Sequence, residues 1–330
     1  MPPLRLLAAR TAFHARRFAQ KAVAWPLVIA SKVLPGVPAA AVLALSNGIA
    51  FVMWALDGRG RNAARQNLVA VFGTEMSPRE RRRVARASYR TAVRSIVLMF
   101  HLQPLTPKRY AKFVRITPED DARFAALMAQ HPKIVLVSGH FGNWELLLAA
   151  RSILPYAPPF AYLAETTGAP AVDALFDRLR DRGSGGGALR KRGAMALKKA
   201  LEDGRSVSLL VDRNVRGNLG GHYVPFLGVP ARTTPLSAKL AHWYDVPLAV
   251  ALMLPEGPCR WRLWISGNLA ADRTGDEATD VAATVARIND VLSRAIREHP
   301  DAWCWMLKRW KSRPTPELGP YPPYSLLDPA

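Results

Sequence analysis

The chain has 330 residues, 49% of them apolar, which is ample for a core and allows one large α/β domain or two small ones. Its two cysteines, Cys259 and Cys304, lack CxxC spacing, so they give no support to a Cys/His zinc site and fit a reducing, cytoplasmic setting. The net charge is +21, and residues 1–118 hold 20 Lys/Arg against Asp57, Glu75 and Glu80, which puts +17 of the excess there. Such a surface attracts nucleic acid or an anionic membrane.

Residues 4–30 mix Arg5, Arg10, Arg16, Arg17 and Lys21 with Leu6, Leu7, Phe13, Phe18 and Trp25, the pattern of a basic helix lying on a membrane surface. Val33 to Leu56 is an uncharged run of 24 residues, about 36 Å as one helix. Pro35, Gly36, Pro38 and Gly48 interrupt it. Its late start, with no cleavage site after it, argues against a signal peptide. Membrane attachment is favoured over a soluble helical hairpin. The expected organisation is a membrane-associating segment (1–60), an α/β domain (61–315) and an irregular, proline-rich tail (316–330).

Ser77-Pro78-Arg79-Glu80 predicts a capped helix reaching about Leu102, and Asp120-Asp121 opens another ending near Gln130. Strands are predicted at Lys133–Val137, Phe160–Leu163, Ser206–Val211, Pro247–Leu252 and Arg260–Ile265. Helices fall near 143–153, 171–182, 194–203 and 234–244, and a long one runs from Thr279 to Glu298. The alternation predicts an α/β fold with a mixed, mostly parallel sheet flanked by helices.

The densest chemistry lies just past the first of these strands. A Ser138-Gly139 turn leads to His140, and Glu145 follows in the next helical turn, an H-x₄-E pattern. Histidine at a strand end takes a proton near neutral pH, and a nearby carboxylate stabilises the charged ring. Glu145 reads equally as an acid facing a helix N-terminus. Asp212, after the Ser206–Val211 strand, is a possible second acid or a turn residue. Ser138 lacks a nucleophile frame and reads as turn-forming. Gly139 and Gly142 would bring backbone amides to a substrate oxygen, or serve the turn alone, and Asn143 is grouped with them as substrate-binding. Arg180, Arg190 and Arg192 flank a glycine cluster and suit phosphate groups, against a surface-loop reading. Val224 to Pro230 reads as an apolar loop, and its Pro225 and Phe226 are expected to line the substrate site, against plain core packing. Trp303, Trp305 and Trp310 alternate with Lys308, Arg309 and Lys311, suiting an anionic head group bound at Arg309, or a core-facing tryptophan stripe.

Arg65-Gln-Asn-Leu68, Gly139-His-Phe-Gly-Asn-Trp-Glu145, Leu210-Val-Asp212, Val224-Pro-Phe-Leu-Gly228, and Trp305-Met-Leu-Lys-Arg-Trp310 with Lys311 follow one another in order. Together they resemble the lysophospholipid acyltransferase superfamily, and more closely its late lipid A (lauroyl/myristoyl) acyltransferases. Asp212-Arg213 and Phe226-Leu227-Gly228 depart from the Asp-Gln and Phe-Phe-Gly common in that family. The resemblance implies O-acyl transfer from an acyl-carrier protein thioester to a hydroxyl of a lipid A precursor in lipopolysaccharide biosynthesis. His140 would be the general base and Glu145 its positioning partner, with no metal or organic cofactor. It also implies the cytoplasmic face of a bacterial inner membrane. The same chemistry on a lysophospholipid or mannolipid stays open. A basic nucleic-acid-binding protein is the remaining alternative. No recognisable nucleic-acid motif supports it, so no nucleic-acid partner is expected.

Overall fold

Sequence breakers divide the N-terminal third of the chain into separate helices. The computed structural model describes residues 25–190, 193–215, 220–270, 273–317 and 319–328. Most of the expected basic surface helix, and Arg192, lie outside them. A helix through 25–33 gives way to a 3₁₀ turn at Leu34–Gly36, and Pro38 precedes the Ala39–Leu56 helix. The prolines therefore shorten the 24-residue run to an 18-residue helix of about 27 Å. It is long and apolar enough by composition to cross a membrane. Val42, Ser46 and Ala50 form its buried side. Two of its polar side-chain atoms are paired: Ser46 Oγ donates to Val42 O, and Asn47 Oδ1 accepts from Arg94 Nη2 at 2.9 Å. Leu45, Ile49, Phe51, Val52, Met53 and Leu56 stay exposed, with Leu56 at 80%.

Asp57 caps the next helix, Gly58–Phe72, accepting from Gly60 N at 2.8 Å and from Tyr89 Oη at 2.8 Å. The Ser77–Glu80 capping box forms as the sequence predicts and starts a 24-residue helix, Pro78–His101. That helix packs against Ala39–Leu56 and reaches the sheet.

The sheet has seven strands in the order β1-β9-β8-β2-β5-β3-β4. They are β1 (Val114–Ile116), β2 (Val135–Ser138), β3 (Phe160–Leu163), β4 (Gly185–Leu189), β5 (Ser206–Leu210), β8 (Leu248–Gly257) and β9 (Arg260–Ile265). From β8 to β4 all neighbours are parallel. β9 turns back antiparallel to β8, and β1 lies parallel to β9. This is the mixed, mostly parallel α/β fold that the sequence predicts. β2 is buried on both faces, as a central parallel strand should be. Val135 and Val137 join one core cluster with Leu209, Val250 and the tryptophans, while Leu136 joins the other with Leu98 and Phe100.

Three expectations change. The glycine cluster, read as a surface loop or phosphate site, is edge strand β4, with Gly185 and Gly187 at φ +66° and +83°. The segment read as an apolar loop at 224–230 is a hairpin of β6 (His222–Phe226) and β7 (Val229–Thr233). Leu227 and Gly228 both take positive φ, the requirement of a tight two-residue hairpin turn. The helix expected at 143–153 shrinks to one turn, Trp144–Leu147, and a 3₁₀ turn, Ala150–Ser152. Beyond these, β11 (Leu326–Leu327) in the proline-rich tail pairs with β10 (Ser312–Arg313).

Candidate active site

β2 and β5 are parallel neighbours in a register that pairs Ser138 with Leu210. Val211 N donates to Ser138 O at 2.9 Å and carries the pairing one residue further. His140 and Asp212 each lie two residues past a paired position, so both emerge at the carboxyl edge of the sheet, where α/β proteins place their sites.

Asp212 is 1% exposed and faces three donors. Oδ1 is 2.8 Å from His140 Nδ1, and Oδ2 accepts from His140 N at 2.7 Å and from Trp303 Nε1 at 2.8 Å. Burial pushes the Asp212 carboxyl up, but the His140 charge and these hydrogen bonds outweigh it and hold the group at about 2. Burial disfavours the imidazolium, yet the Asp212 charge and hydrogen bond outweigh that and raise the His140 pKa above its ordinary value. An ionised carboxylate only accepts, so Nδ1 carries the hydrogen and Nε2 is the basic nitrogen of the neutral ring. The His140 side chain is 20% exposed, and its ring meets Trp144 edge-on at 5.2 Å.

Backbone pairing fixes the turn. Cys304 N donates to His140 O at 3.1 Å, and Gly142 N donates to Ala302 O at 2.8 Å. Gly142 has φ +57°, and a Cβ there would lie 1.8 Å from Met253 O, so only glycine fits. Its amide is taken by Ala302, which removes it as an oxyanion donor. Gly139 lies against the Asp212 carboxylate, where an added Cβ would sit 3.1 Å from Oδ2. Ser138 Oγ is buried and donates to Ala251 O at 2.7 Å, consistent with a structural serine. Asn143 is fully buried, and neither side-chain polar atom has a partner among the described residues.

Glu145 does not hydrogen-bond His140, contrary to the sequence expectation. Arg180 binds it through both oxygens, Nε to Oε2 at 2.7 Å and Nη2 to Oε1 at 2.6 Å. The fork geometry of guanidinium and carboxylate accounts for this pairing. The carboxylate on the imidazole is Asp212. Arg190 binds Asp177 and the carbonyl of Glu165, which ties it into the fold beside β4 instead of leaving it free for phosphate. Phe226 is fully buried against Trp303 and Trp310, so it is core and not lining, whereas its neighbour Pro225 is exposed. Trp303, Trp305 and Trp310 are likewise fully buried. Arg309, expected at a head group, is fully buried as well. It donates to Arg232 O at 2.8 Å and lies 4.8 Å from the centre of the Phe226 ring. Burial lowers its pKa to about 10. Sequence reasoning missed Trp303 as a donor to Asp212, and no local pattern signals it.

A histidine and a buried aspartate at the carboxyl edge of a mostly parallel sheet mark an α/β enzyme, and the comparisons give its kind. The chain belongs to the bacterial lipid A biosynthesis acyltransferases, whose family model it matches over residues 12–312. It is therefore an acyltransferase of lipid A synthesis, with an acyl donor and a lipid A-type acceptor. One relative is "Lipid A biosynthesis acyltransferase 2" of Shigella flexneri, 21% identical over 271 residues, which cover 81% of this chain and 82% of the relative.

Proposed function

We propose that the chain transfers a fatty acyl group from an acyl-carrier protein thioester to a hydroxyl of a lipid A precursor, with His140 as general base. The observation that carries this reading is the Asp212 carboxylate held on His140 Nδ1, which leaves Nε2 to accept a proton. His140 Nε2 takes the hydroxyl proton as the oxygen attacks the thioester carbon. The C–O bond forms, the tetrahedral oxyanion collapses and the C–S bond breaks. The imidazolium then returns its proton to the departing thiolate. The thioester is already activated, so no enzyme nucleophile is required. Asp212 positions the ring and stabilises its charged form. Glu145 adds negative charge near His140 and fixes Arg180.

The exposed apolar side of Ala39–Leu56, with the basic helices beside it, supports residence on the cytoplasmic face of the bacterial inner membrane. The test is mass spectrometry of glycolipids from cells lacking the protein, complemented with wild type or His140→Ala. Loss of one acyl chain, restored only by wild type, is expected. An unchanged glycolipid profile on deletion overturns the assignment.

A further inference from the structure

A large cleft lies away from His140. It encloses about 1140 Å³ between the Gly58–Phe72 and Pro78–His101 helices and the Gly319–Pro323 region. Ser95 Oγ donates to Gly142 O, which places that point of the long helix at the reacting centre. Arg82, on the cleft wall, lies 13 residues earlier, about 20 Å along the same helix.

Four arginines line the cleft: Arg61, Arg65, Arg81 and Arg82. Arg61 and Arg81 are engaged by backbone carbonyls at helix ends. Arg65 and Arg82 are exposed, and neither has an acidic partner within ion-pair distance among the described residues. Tyr321, on the opposite wall, is 7% exposed, and its hydroxyl has no hydrogen-bond partner among the described residues. Trp54 lines the same cleft. Phe51, Val52, Met53 and Leu56, on the turns around it, are exposed. Arg65 donates one long hydrogen bond, to Asn62 Oδ1 at 3.4 Å, so two guanidinium groups without a carboxylate partner among the described residues meet an exposed apolar helix end.

We propose that this cleft is a binding site for the phosphate group of a membrane lipid, separate from the His140 centre. Arg65 and Arg82 hold the phosphate oxygens. The apolar end of Ala39–Leu56 lies against the acyl chains, which sets the depth of the protein on the bilayer. The apolar rim favours a lipid over a free anion or an acidic protein, since neither of those would use it. The proposal does not depend on the chemistry at His140, and its first readout, vesicle binding, needs no turnover.

Full-length protein is measured for binding to vesicles of neutral phosphatidylcholine alone and with anionic phosphatidylglycerol added. Wild type is compared with Arg65→Gln/Arg82→Gln and with Arg79→Gln/Arg90→Gln. The second pair removes the same charge from exposed positions outside this cleft. The cleft pair is expected to lose preference for anionic vesicles by on the order of fivefold per arginine, and the control pair markedly less. Equal losses in the two pairs would show a diffuse charge effect and overturn the site. So would binding of inorganic pyrophosphate that the cleft pair loses while its vesicle preference stays unchanged, which would make it a free-anion site. Unchanged vesicle preference, with a raised KM for a carrier-protein donor, would assign the cleft to the donor protein and also overturn the proposal.

Discussion

The indole N–H of Trp303 donates at 2.8 Å to Asp212 Oδ2, an oxygen that also accepts the main-chain N–H of His140. A tryptophan late in the chain thus secures the carboxylate that holds the catalytic candidate. Trp303→Phe keeps most of the volume and removes that donor. Hydrogen bonds to a charged group contribute about 1.5–3 kcal/mol, so a fall in Tm is expected. The His140–Asp212 contact remains, so kcat is expected to drop much less than in His140→Ala. Thermal unfolding and a thioester-donor assay on the same preparations check both.

His140→Ala is expected to reduce transfer by about 10²–10⁴, the usual range for a lost general base. The side chain is partly exposed and lies at the edge of the sheet, so folding should persist. Full activity in the folded variant would remove His140 from the mechanism.

Asp212→Asn makes a pH prediction. Asp212 raises the His140 pKa, and activity needs the neutral ring, so the acid limb of kcat/KM should move to lower pH in the variant. The plateau should fall too, because Asn cannot stabilise the imidazolium. Stability follows the same groups. The folded-state pKa of Asp212 is depressed from 3.8 to about 2, so its contribution is present above 3.8 and lost as pH falls through 2. The raised pKa of His140 adds stability that is full below 6.5 and lost as pH rises through the folded value. An acid limb that stays in place would mean that Asp212 does not set the basicity of the ring.

Glu145→Gln removes the charge that Arg180 binds in a partly buried fork. If Glu145 acts through Arg180, then Glu145→Gln, Arg180→Gln and the double variant should show strongly non-additive losses in kcat. Additive losses would mean that the two residues act separately.

Val52→Asp/Leu56→Asp places two charges on the exposed side of the Ala39–Leu56 helix and leaves its packed side intact. Membrane association should weaken, and the melting temperature should stay near that of wild type. Flotation with vesicles reads the first and calorimetry the second. Unaltered flotation would place the membrane contact elsewhere.

Continuous apolar strands such as β2 and β5, and the Ser77–Glu80 cap, were legible because their signals are local. β1 is only three residues long, too short for its Val-Arg-Ile to read as a strand, and β4, with its glycines, carries little strand propensity; the neighbouring strands create both. The hairpin through Leu227 was hidden because a leucine at positive φ is not a turn signal. The choice between Glu145 and Asp212 failed for a related reason. Glu145 is five residues from His140 and Asp212 seventy-two, so nearness in sequence favoured the wrong carboxylate. Only the pairing of β2 with β5 brings Asp212 to the ring.

That pairing also turns a catalytic distance into a matter of counting. A strand advances about 3.3 Å per residue, more than the 2.8 Å that separates Asp212 Oδ1 from His140 Nδ1. One residue inserted after Ser138 or after Leu210 would therefore carry one partner out of reach and turn its side chain to the opposite face. Chains that keep this chemistry are free to vary the length of their connecting loops. The two short stretches from Ser138 to His140 and from Leu210 to Asp212 work as matched rulers, and neither tolerates a change that the other does not copy.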